Sequence, residues 1–130
     1  MARADPARAV PDRIPQQFVG NWCYREEADP ATRKINEEEG IVTYKRSNRC
    51  KPEGQVFIQS DRYAEPSTHE PGFNCKFLET VSITRHGTHR IKFWCKSSDP
   101  SFNDPGWFLE VYMSVSGKDL IAIQHVKDPS

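Results

Sequence analysis

The residues of this chain best equipped for chemistry are four cysteines, Cys23, Cys50, Cys75 and Cys95, and four histidines, His69, His86, His89 and His125. Thiolates and imidazoles can hold zinc, and thiols can also pair as disulfides; spacing separates the two uses. Zinc knuckles and ribbons need close pairs such as C-x-x-C. The cysteines here lie 27, 25 and 20 residues apart. An even number at wide spacing in a short, β-patterned chain points to disulfides and an oxidising compartment. His86 and His89 flank a glycine turn and could meet one metal, but no third ligand is local, so they read as solvated turn residues. His69 sits in a Thr-His-Glu loop and reads as exposed.

Other chemistry finds no signature. There is no Gly-x-Ser-x-Gly elbow, no phosphate loop and no dinucleotide fingerprint. Glu37, Glu38 and Glu39 read as a solvated acidic run. No catalytic residue, metal ligand or cofactor is assigned. The aromatics carry more. Tyr63, Phe73 and Phe102, with Trp107 and Phe108, fall in or beside loops and could line the mouth of a barrel. Trp94 shares a strand face with Arg90 and Lys92, so that face points outward. An outward tryptophan marks a partner surface, or else stacks under Arg90. Tyr63, Phe73, Phe102 and Trp94 are therefore the candidate binding residues.

Something must position these side chains, and the chain is sized for one domain with one core: 130 residues, 36% hydrophobic and 11% aromatic. Lys plus Arg equals Asp plus Glu at 18 each, which argues against nucleic acid as a partner. No apolar run approaches the ~20 residues needed to span a bilayer. The first residues, Met1 to Pro11, hold no apolar core of a secretory signal. The expectation drawn from the cysteines is a mature periplasmic or secreted form, with the signal removed.

Residues 1–17 read as a mobile arm rich in Ala, Arg, Asp and Pro, and residues 18–127 as a single domain. Within it the pattern is β. Phe18, Gly20, Trp22 and Tyr24 alternate as one strand face. Residues 26–40 form a long polar connection with room for a helical turn around 30–38. Strands are expected over 41–46 and 55–60, and 61–73, with two prolines, reads as a loop. Cys75 to Thr84 places Phe77, Val81 and Ile83 on one face, and Thr88 to Cys95 places Ile91, Phe93 and Cys95 on one face. Trp107, Leu109, Val111, Met113 and Val115 fall on one side of 106–115, and 119–126 closes the chain.

About seven strands at short spacing, with no long helix, give an all-β fold: a small antiparallel meander β-barrel of seven to eight strands. Cys75 and Cys95 share the core faces of one hairpin, though their register is off by two or three positions, which a bulge or longer loop would correct. The faces thus favour Cys75 with Cys95 and Cys23 with Cys50, out of three possible connectivities.

Gly20 and Trp22, in the first strand after the arm, have a physical use. The glycine lets neighbours approach, and the tryptophan covers one barrel end. This Gly-x-Trp step in a small meander resembles the opening of the calycin barrels: lipocalins, avidins and the bacterial metalloprotease-inhibitor family. The last strand carries Gln124 and His125, with Lys127, where lipocalins have an arginine packed on the tryptophan. The resemblance implies a non-enzymatic binding protein. Its partner would be another protein, with a protease-inhibitor form in which the N-terminal arm enters the enzyme cleft, or a small apolar ligand held in the barrel interior or mouth. The third alternative is an enzyme whose site leaves no motif.

Overall fold

A computed structural model describes residues 12–51, 54–66, 72–99 and 105–126. Eight strands form a closed, wholly antiparallel barrel: β1 (Gly20–Tyr24), β2 (Ile41–Arg46), β3 (Gln55–Ile58), β4 (Arg62–Glu65), β5 (Phe73–Ile83), β6 (His89–Ser97), β7 (Trp107–Gly117) and β8 (Leu120–His125). Closure gives every strand a neighbour on both sides. Every strand sends alternate side chains inward. Trp22, Tyr44, Val56, Ile58, Tyr63, Cys75, Ile91, Phe93, Cys95, Val111, Met113, Ile121 and Ile123 pack into one core. The all-β, disulfide-linked barrel expected from the sequence is therefore the fold.

The strand order departs from a simple meander at its start. Strands β3 to β8 follow one another around the wall, but β1 lies between β2 and β3. Both neighbours run antiparallel to β1, so the chain must carry residues 47–54 across it. Alternation decides where. Trp22 is in the core, so Cys23 points outward, and it is bonded to Cys50 of the crossing segment. The Ser47 amide donates to the Asn21 carbonyl at 3.0 Å, and the Gln55 side chain donates to the Cys50 carbonyl at 3.2 Å. The bridge thus pins the crossing to the outer wall, and Cys23 is buried beneath it.

The second bridge, Cys75–Cys95, joins directly paired residues of β5 and β6 inside the core. The pairing expected from the cysteine faces is the one found. The register is corrected by two irregularities, between Phe77 and Glu79 and between Thr80 and Ser82. Each adds a residue to β5 and turns the face over. Thr80 therefore points inward and is buried. Val81 and Ile83, expected on the core face with Phe77, are both exposed: Val81 falls in the second irregularity, and Ile83, back in register opposite His89, lies at the strand's end. Period-two alternation fails wherever a bulge inserts a residue. On β7 the expected inward row holds at Val111 and Met113, while Trp107 and Val115 lie exposed at the strand ends.

Three further expectations are revised. The polar connection after β1 holds a full helix, α1 (Pro30–Glu39), rather than a turn. Asp29 caps it by accepting from the Thr32 amide at 3.1 Å, proline opens it, and Gly40 at φ 72° ends it. It buries no residue, so its caps rather than packing define it. The segment read as a loop over 61–73 contains β4. The boundary of the N-terminal arm also moves: Ile14 is core, its amide donates to the Ser60 carbonyl at 2.7 Å, and a single 3-10 turn, Gln16–Phe18, follows. Residues 1–11 lie outside the described residues.

Candidate binding surface

Two of the three tryptophans have basic residues near them, in contrasting ways. Trp22 is buried at one end of the barrel, and its indole N–H donates to the Phe18 carbonyl at 2.9 Å. The Arg46 guanidinium lies over its ring, 4.3 Å from the centroid. Arg46 also donates to the Val19 carbonyl at 2.7 Å and to Asp119 at 3.2 Å. Gly20, at φ 147°, takes a backbone region that favours glycine, and a Cβ there would collide with that guanidinium. The glycine in the Gly-x-Trp step makes room for an arginine of β2. This end is closed, with Phe18 edge-on to His89 at 5.1 Å beneath the core.

Trp94 is different. It stands on the outer face of β6, as its charged neighbours implied, and is half-buried. Phe108, directly across on β7, holds it edge to face at 4.8 Å. Gly106, at φ 102°, brings the backbone against its ring, where a Cβ would lie 2.6 Å from the indole. Arg90 does not stack on it; that guanidinium pairs with Glu110 at 3.1 Å and lies over Tyr112. Lys92 sits instead over Phe108 at 4.5 Å. The indole is fixed on two sides and open on the third.

The open side looks onto a groove of about 910 Å³ across the outer wall of β1, β3, β4, β5 and β6. Strand register sets its floor and walls. One row runs Asn21, Phe57, Ala64, Asn74 and Lys96; the next runs Arg62, Lys76, Trp94 and Phe108. Small residues, Ala64 and Asn74, lie in the middle, while Phe57 and Trp94 stand on either side. Asp61 is the one carboxylate among the described residues that line it, against Arg62, Lys76 and Lys96.

The opposite end of the barrel from Trp22 holds the remaining aromatics. Tyr63, expected at a mouth, is fully buried on β4; its hydroxyl donates to Glu65 and its ring packs near Phe93. The expectation fails because a four-residue strand, followed by Pro66 and Pro71, carries Tyr63 and turns it inward by alternation. Phe73 is half-buried between Tyr63 and Trp107, 5.8 Å from the latter. Burial and then the Glu65 carboxylate push the Tyr63 phenol well above its usual range, and the same two causes raise Tyr44. Phe102 and His69 lie outside the described residues. His89 is buried, with Nδ1 2.9 Å from the Gly87 carbonyl, and His86 is exposed.

The structure therefore brings Trp94 together with Phe57, Lys76, Lys96 and Arg62, none of which the sequence reading singled out. A signal was present. Residues that follow the core cysteines 75 and 95 must point outward, which places Lys76 and Lys96 on the outer face of that hairpin. No protein-family model, curated protein or solved structure matches this chain.

Proposed function

We propose that the protein is a non-enzymatic binding module of the periplasm or extracellular space that contacts a protein partner across its outer wall. The observation that carries this is the contrast between a barrel interior packed with side chains from every strand and an outer groove beside a fixed, half-open indole. A packed interior leaves the wall as the place for a partner, and a pre-set aromatic loses little freedom on contact. The oxidising compartment is supported by both bridges and the lack of a free cysteine. Kinship with the calycin barrels is supported by Trp22 under an arginine, supplied here from β2.

A random heptapeptide display library, panned against the protein, tests this. Selected clones should lose binding to Trp94→Ala and Phe57→Ala and keep it with Trp107→Ala. The reverse pattern favours a second reading, a small apolar ligand beside Phe73 and Trp107. That reading draws on Trp107, 37% exposed beside Phe73. Clones indifferent to all three substitutions would contradict both readings.

A further inference from the structure

We infer that the outer groove is built for a short, extended, acidic peptide segment. This rests on the outer-wall reading and adds the chemistry of the occupant. The key observation is a row of like charge set by strand register. Arg62 and Lys76 face each other directly across β4 and β5, and Lys76 pairs in turn with Trp94 across β5 and β6. Like charges placed opposite each other on adjacent strands destabilise a sheet. Lys96, one row away on β6, adds a third cation. All three are exposed.

None of the three has a carboxylate within ion-pair distance among the described residues, so their charges are available to a partner; the ion pairs of Arg25, Arg33, Arg46 and Arg90 lie outside this row. Local conflicts of this kind concentrate where a surface has a use. A carboxylate-bearing partner relieves the repulsion, and the charges steer its approach.

Dimensions and polarity set the rest. From β3 to β6 the groove crosses three inter-strand spacings, roughly 14 Å at ~4.8 Å each, the length of about four extended residues. The floor of Ala64 and Asn74 admits a backbone, Phe57 and Trp94 offer apolar contact on either side, and the Asn21 side chain is exposed for hydrogen bonding. A nucleic-acid strand also matches aromatics and cations. The peptide is favoured because the chain carries no net charge, whereas proteins that hold a polyphosphate usually carry a basic surplus.

The test uses a fluorescein-labelled hexapeptide of three Glu-Tyr repeats, followed by fluorescence anisotropy against the full chain. Binding is expected at ~20 mM salt and should weaken on the order of tenfold by ~300 mM, as screening shortens the reach of the charges. Lys76→Glu combined with Lys96→Glu should weaken it by at least about tenfold. The same double variant should melt no lower than the parent, because the new carboxylate on β5 faces Arg62. A hexapeptide of three Lys-Tyr repeats should bind the double variant better than the parent. If the double variant does melt early, Lys76→Gln with Lys96→Gln should show a smaller loss in the same direction.

Binding of the Glu-Tyr peptide that ignores salt and both lysines would overturn the inference. So would a ten-residue oligothymidylate that binds more tightly than the peptide through the same lysines. Library peptides that depend on Trp94 but are neutral and indifferent to the lysines would overturn only the acidic assignment. Loss of Trp94 dependence altogether would remove the outer-wall reading as well.

Discussion

Trp22 and Trp94 are the same residue in basic surroundings, and they do opposite work. At the closed end, the indole N–H, its ring face and the guanidinium over it all have partners within the chain. On the outer wall, the indole is held by Phe108 and Gly106, yet its cationic neighbours Lys76 and Lys96 are left without partners among the described residues. An aromatic–cation pair whose bonds are all satisfied is part of the fold. One that is rigid but unsatisfied has free energy left for something outside it. The difference lies in the accounting of each polar group and not in residue type.

The sharpest way to break this comparison is to truncate both rings. Trp22→Ala should cost on the order of 3–5 kcal/mol, from lost burial and the cavity left in a closed barrel. Trp94→Ala should cost less than about 1 kcal/mol, because it leaves a surface depression and no interior void. Urea unfolding followed by far-UV circular dichroism checks both. Equal losses would mean that Trp94 is as structural as Trp22.

A second contrast sets buried hydroxyls against the exposed cations. Tyr63 and Tyr44 have phenols raised above their ordinary value, chiefly by burial and then by Glu65. A raised folded value means that stability is fully present below the unfolded phenol's pKa of ~10 and is lost as pH climbs through the folded values. By pH 11 each phenol should cost about 1 kcal/mol, so the loss is roughly 2–3 kcal/mol in all. Melting curves from pH 8 to 11, compared with Tyr63→Phe and Tyr44→Phe, measure it. Each substitution should flatten the decline, and an unchanged decline would show that these phenols are not its source.

The third test concerns the guanidinium itself. Arg46→Ala should cost about 1–2 kcal/mol, since it uncovers the Trp22 ring and leaves Asp119 and the Val19 carbonyl without their donor. Arg46→Lys should recover little, because a point charge cannot span a ring face, a carbonyl and a carboxylate together. Full recovery by lysine would reduce the site to simple charge.

How much of this could be read from the sequence follows the same divide. The inward pairing of Cys75 with Cys95 was legible because cysteines on core faces of one hairpin have few places to go. Trp22 was legible from its place on a strand face after a glycine. The partner of Trp22 was not: Arg46 stands directly across from it on β2, and the long helical connection between the two strands leaves that register unmarked in the sequence. Val81 was misplaced because bulges in β5 break alternation without leaving a mark in composition, and Ile83 because it sits at the strand's exposed end. Tyr63 was misplaced because β4 is only four residues long and sits beside a proline. The groove was the least legible feature. Its rows join residues from five strands, and only the register reveals that Arg62 faces Lys76.

The most direct measurement exploits the three tryptophans as three separate reporters. In a proton–nitrogen NMR spectrum each indole N–H gives its own signal. On titration with the hexapeptide of three Glu-Tyr repeats, the Trp94 signal should shift progressively. The Trp22 signal, locked to the Phe18 carbonyl, should stay still, and so should that of Trp107 at the start of β7. Movement of Trp107 with Trp94 unchanged, or a spectrum in which no indole responds, would contradict the claim that this protein meets its partner on the outer wall.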